Sequence, residues 1–278
     1  DTTGQRNLTI SGELDAATGD FSGDVDIDGT LETDAITLGG ASFIKVEGTD
    51  FTGSLLVGHS TTGTLDAAQY NTGVGLTALD ALTTGDNNTT LGYGAGSAIT
   101  TASSCVFIGS GAGDAITGAS DNVAVGAGAL SGTGTASSSA YNVAVGKDAM
   151  NVSNGARFNV AIGKDAGRTI TAGDYNIVIG AEAAENLTSG QGNVIIGANV
   201  DVSSATGDRE LIIHGNSGDD QTTWIQGDSS GNITMPAELA AVSLDISGAI
   251  DVDGTTNLDA VDIDGAVQID GTVTVGVD

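Results

Sequence analysis

Few residues in this chain carry reactive groups, and their spacing brings none of them together. The imidazoles and thiol are His59, His214 and Cys105 alone. A Ser-His-Asp triad or a zinc site needs several such groups to converge, and neither histidine has a fixed Ser or Asp partner in the sequence. Cys105 stands where a repeated asparagine is expected, so it reads as a small buried residue rather than a nucleophile. Trp224, the single tryptophan, could stack on a ligand, but it reads more simply as the plug of a small non-repeating segment. The stretches "GYGAG" (92–96) and "GSGAG" (109–113) look like dinucleotide loops, yet they occupy one phase of consecutive repeats and no crossover helix follows. "VGKD" and "IGKD" (145–148, 162–165) lack the glycines and Ser/Thr of a phosphate loop. "DVDIDG" (24–29) has calcium-loop character, but the twelfth position counted from Asp24 is Ala35, not Glu. Acidic residues are plentiful, but no pair is singled out for glycoside hydrolysis. The sequence therefore gives an expectation of no catalytic, cofactor-binding or metal-binding residue, and of no enzymatic activity.

What positions these residues is a repeat. The Gly that closes each apolar pair recurs as Gly58, Gly75, Gly92, Gly109, Gly126, Gly146, Gly163, Gly180 and Gly197, at intervals of 17 with one of 20. The three extra residues fall in "SGTGTASSSAY" (131–141). Asn stands four positions before most of these glycines (Asn71 and Asn193 are the first and last), with Ser54 and Cys105 as substitutes. Ala follows three positions after, and a second apolar point recurs at Leu65, Leu82, Ile99, Ile116, Ile170 and Leu187. Two Val alternating in "NVAVG" lie on one face of a short strand. One such unit cannot bury its apolar face alone, whereas stacked copies shelter one another's valines. At about 4.8 Å per strand, nine units make a rod of roughly 40 Å. In such a stack the asparagines fall above one another, where amides can form a hydrogen-bonded ladder.

The expected fold is all-β: an elongated homotrimeric β-solenoid or β-roll fibre with 17-residue coils, flanked by triple-stranded β shaft segments. Its divisions are an acidic shaft segment over 1–50, the solenoid over 51–208, a β meander over 209–236 and a second acidic shaft segment over 237–278. In the flanks Val/Ile alternates with Asp/Thr and Gly recurs every five or six residues, as in "DVDGTTNLDAVDIDGAVQIDG" (251–271). Within the meander, "LIIHG" and "TTWIQG" supply strands and "DSSGN" turns the chain into "ITM". The trimer is inferred from a shortage of core: aromatic residues make up 4% of the chain, and three wound copies would share the burial and remove strand edges.

Thirty-six acidic against seven basic residues give a net charge of −29. Such a surface repels nucleic acid and anionic membranes, and no stretch is apolar enough to span a bilayer as a helix. One cysteine leaves no intrachain disulfide. The chain starts at Asp1 rather than Met, so a fragment or processed product is expected.

The unit "NVAVGKDAM" (142–150) resembles the N-T-A-V-G-x-x-A-L repeats of phage tail-fibre and related trimeric fibre proteins. "NTGVGLTALDALTTGDN" (71–87) is the nearest copy. The V-A-I-G core is also similar to that of the head repeats of trimeric autotransporter adhesins. The resemblance covers residues 54–230 well and the flanks loosely. In the fibre proteins such repeats often precede an intramolecular chaperone of the endosialidase type; these 278 residues carry no recognisable copy, so maturation and attachment are not implied. What the resemblance does imply is a homotrimeric shaft on a virion, outside the cell, joined to tail or baseplate proteins and spacing a tip that meets a host receptor or glycan. The alternative is a cell-surface trimeric adhesin or extracellular filament, binding glycans through the 131–141 loop or the 209–236 meander.

Overall fold

The computed structural model describes residues 36–38, 41–46, 54–57, 66–132, 138–218 and 221–236. The acidic runs at 8–35 and 237–278, with Gly58, His59 and Leu65, lie outside the described residues. The chain divides into units Asp1–Ala237 and Glu238–Asp278, and the described residues belong to the first.

Every regular element among them is a strand. An antiparallel pair, β1 (Ile36–Leu38) and β2 (Ala41–Val46), leads into β3 (Leu55–Val57). Eight strands of three residues follow: β4 (Thr72–Val74), β5 (Thr89–Leu91), β6 (Val106–Ile108), β7 (Val123–Val125), β8 (Val143–Val145), β9 (Val160–Ile162), β10 (Ile177–Ile179) and β11 (Val194–Ile196). Then come β12 (Leu211–Asn216), β13 (Gln221–Gly227) and β14 (Ile233–Thr234). The strands lie side by side in chain order in one sheet. From β3 to β12 they are parallel, each residue opposite the one 17 positions on, as Val106 faces Val123. The longer coil keeps the register, since Val123 faces Val143. The expected β-solenoid of 17-residue coils is thus present, with about nine turns. The parallel run also takes in the first strand of the 209–236 segment. Antiparallel β2 covers one edge of that run and β13 the other, which leaves neither parallel edge open.

Inside and outside of the strands differ from the sequence expectation. The middle residue of each triplet is buried and the two flanking residues are not: Leu56, Thr90, Phe107, Ala124, Val178 and Ile195 point into the coil. The valines expected to be sheltered face outwards, half-buried or exposed. The physical reason is the narrowness of the coil. Its interior takes one strand residue, the Ala after the Gly, and the second apolar point, so Ala95, Ala112, Ile99 and Ile116 are fully buried with Phe107. In four coils the width is kept by exchange of volume between the middle residue and the one six positions later; at Gly167, which follows Ala161, Ile170 fills the space instead. Gly73 is paired with Leu79, Phe107 with Gly113, Ala124 with Leu130, and Ala144 with Met150. A Cβ on Gly113 would lie 2.4 Å from Cε2 of Phe107, so the ring occupies the space that Leu130 fills one coil later.

The glycine after each strand is required by its neighbours along the stack. From Gly75 to Gly197 the φ values run from 132° to 146°, a region that side chains with a Cβ avoid. An added Cβ would meet the next coil's backbone oxygen at 2.0–2.6 Å.

Candidate functional site

The asparagines form a buried ladder parallel to the stacking direction. Asn176 donates its backbone N–H and its Nδ2 to Oδ1 of Asn159 (2.9 and 3.0 Å), and its Nδ2 also donates to the Gly190 carbonyl at 2.9 Å. Asn193 repeats this on Asn176, and Asn159 on Asn142. Each amide thus fills the role that backbone groups of a buried turn would otherwise leave open. Ser54 is a working substitute, its Oγ accepting the Asn71 N–H at 2.7 Å. Cys105 is a weaker one: its sulfur is a poor acceptor for the Asn122 backbone N–H, and the thiol lies 3.5 and 3.6 Å from the carbonyls of Ser103 and Ala119. Burial pushes that thiol up to about 11, so it is held neutral and is a poor nucleophile. The ladder ends in Glu210, seventeen residues after Asn193, whose N–H donates to Asn193 Oδ1 and whose carboxylate accepts the Ser203 N–H. Sequence reading missed Glu210 because its type differs, although its spacing marked it.

Three aromatic side chains stack on the outside, one residue before the ladder. Tyr141, Phe158 and Tyr175 have ring centroids 4.8 and 4.9 Å apart and are parallel to within 2° and 3°. Next to them in sequence Arg157 pairs with Asp174; after the following strand Lys164 pairs with Asp165 and Glu182. Hydrogen bonds to Asp165 and then Glu182 raise the Lys164 ammonium above its usual range. These exposed pairs place charge at the surface rather than stabilise the coil.

The glycine loops take their place in the repeat. Gly92 and Gly109 end strands, and Gly94, Gly96, Gly111 and Gly113 all have left-handed φ between 59° and 66°. Lys147 pairs with its neighbour Asp148. His214 sits at the glycine position of the last parallel strand, its Nδ1 3.2 Å from Thr223 Oγ1 and its Nε2 buried without a partner. The structure brings neither Cys105 nor a carboxylate triad to it, and no group of three metal-ligating side chains occurs among the described residues.

Trp224 departs from its expected place as a core plug: it is 56% exposed. The pairing explains this. Ile213 faces Ile225 and His214 faces Thr223, so Trp224 is the extra residue of a bulge, which re-aims its side chain. Its ring lies against Gly215, where a Cβ would come within 2.5 Å of Cζ2. Gly215, Asn216, Ser217, Thr222 and Trp224 line an open cleft of about 390 Å³. A smaller cleft of about 200 Å³ lies between the last coil and the hairpin turn, with Asp208, Glu210 and Asp228 in its wall. There the Asn232 amide and backbone N–H groups hold the Asp228 carboxyl below its usual range, so this carboxylate serves the turn (Asn232 Nδ2 to Oδ2, 2.7 Å).

No protein-family model, no curated protein and no solved structure matches this chain.

Proposed function

We propose that the chain is a structural spacer, the shaft of a homotrimeric fibre, and that this fibre belongs to a virion tail, outside the cell. The observation that carries the assembly is the outward face of strands β3–β12. Two outward positions on each of ten strands make twenty; eighteen are Val, Ile or Leu and the others are Thr72 and Thr89. The chain has 36 acidic residues, yet none is on this face. Leu91 is half exposed, and Ile108, Ile162 and Ile177 are more than a third exposed. A contiguous apolar stripe of this kind marks an interaction surface, and a self-complementary repeat suits copies of itself in register. The virion setting is supported by the repeat resemblance and by the acidic, axially extended stack, with tail or baseplate proteins at one end and a receptor-binding tip at the other.

The mass of the purified chain in dilute buffer tests the assembly. Three copies of 27.2 kDa give 81.6 kDa; a species of 27.2 kDa would remove the trimer. Ile162→Lys together with Val145→Lys should give monomers that keep the β-sheet circular dichroism spectrum. Gold-labelled antibody against the chain should decorate tails in electron micrographs of virions. Decoration of a cell envelope instead would favour the adhesin reading, to which the exposed Tyr141–Phe158–Tyr175 column lends support.

A further inference from the structure

The shaft role makes no use of the open cleft over β12 and β13. We infer that Trp224 is the platform of a binding site for a neutral hexopyranose unit of a glycan. The ring rests on the backbone at Gly215, where the absent Cβ gives it room, and more than half of its surface is left to solvent. A flat aromatic surface fixed in this way is what the C–H face of a sugar ring packs against. The rim supplies polar groups for hydroxyls. Asn216 is locked in place, its Nδ2 donating to the Ala198 carbonyl at 3.2 Å and its Oδ1 accepting the Gly218 N–H at 2.7 Å. Thr222 adds a hydroxyl to the wall. Few, fixed polar groups around an aromatic floor are the usual composition of a small-molecule site.

Charge selects among sugars. The described residues of the lining are all uncharged, in a chain of net charge −29. A sialylated or sulfated ring would meet repulsion from this net charge and no cation among the described lining residues, whereas a neutral ring meets no such repulsion. Size agrees: about 390 Å³ of open cleft holds one or two pyranose units and leaves the rest of a chain in solvent. This inference does not rest on the fibre reading, since the cleft is formed within one copy of the chain.

Because Trp224 is the only tryptophan, its fluorescence reports the site directly. The full chain is applied to a glycan array, and the hits are titrated while emission is followed. Neutral glycans should bind and shift the emission, and Trp224→Ala should weaken them at least tenfold with circular dichroism and assembled mass unchanged. Trp224→Phe should retain part of the affinity. Three results would overturn the inference: an array without hits, a preference for anionic glycans, or hits that Trp224→Ala leaves intact. A fourth is a blue-shifted emission that turns red on dilution, which would assign the ring to a contact with a second copy. A trimer that binds no sugar refutes this inference alone, and a monomer that binds sugar through Trp224 refutes the trimer alone.

Discussion

Exchanging the volumes of residues 107 and 113 tests how the coil interior is packed. Phe107 is fully buried, and its ring fills the space over Gly113, whose added Cβ would lie 2.4, 2.5 and 2.7 Å from three ring carbons. Phe107→Ala removes the ring and leaves a cavity, at a cost of about 3–5 kcal/mol. Gly113→Leu drives a side chain into the ring and should cost about 1–3 kcal/mol or more. The double variant reproduces the next coil, where Ala124 and Leu130 stand at the same two positions. Backbone strain is no obstacle: φ is 61° at Gly113, against 51° at Leu130 and 57° at Leu79, so leucine already adopts this conformation twice. The double variant should therefore lie within about 1–2 kcal/mol of the parent, a coupling of at least about 2 kcal/mol between adjacent sites. Chemical denaturation of the parent, the two single variants and the double variant, followed by circular dichroism, measures the cycle. A double variant as unstable as the sum of its parts would refute the idea that these two positions share one fixed volume.

The remaining outcomes concern the buried polar column and its neighbours. Cys105→Asn replaces the weak sulfur acceptor at Asn122 with an amide oxygen and adds an Nδ2 donor beside Asn88 Oδ1 and the Ala119 carbonyl, so it should raise stability by about 1 kcal/mol, read as a higher thermal midpoint; an unchanged or lower midpoint would refute the ladder's role. The same thiol should resist alkylation at pH 8 until the chain is unfolded. Since its folded pKa of about 11 exceeds the unfolded 9.0, the folded state holds the extra proton between these values. Stability should thus fall as pH rises from 9 to 11, by roughly 2–3 kcal/mol in all, and Cys105→Ala should lack this component of the slope. Thr90 buries an Oγ1 that has no partner, so Thr90→Val should be neutral or stabilising by about 1 kcal/mol; a loss of more than that would mean the hydroxyl is bonded.

Periodicity made much of this fold legible. The 17-residue step, the asparagine column and the second apolar point are set by one residue type recurring at one phase, and Asn142, Asn159 and Asn176 could be placed by counting. The inside of the strand was harder. In "NVAVG" two valines outvote one alanine, yet Ala144 is inside and Val143 and Val145 are outside. The signal was a pairing of sizes across six residues, Phe107 with Gly113 and Gly73 with Leu79, which periodic averaging erases. Glu210 could have been found by adding seventeen to Asn193. Trp224 could not have been placed that way, because its exposure depends on a bulge in the pairing of β12 with β13, and register across an antiparallel hairpin is not carried by the repeat.

The coil between Val123 and Val143 is three residues longer than its neighbours, yet the strands on either side stay opposed residue for residue. Length along the stack and decoration around it are therefore separate variables. Duplicating a 17-residue stretch lengthens the object by one aromatic-stack spacing, about 4.8 Å, with no new folding problem to solve. Lengthening a single coil adds residues for selection to act on, at a fixed reach. A lineage carrying such a chain can tune how far it extends and what it touches by different kinds of mutation.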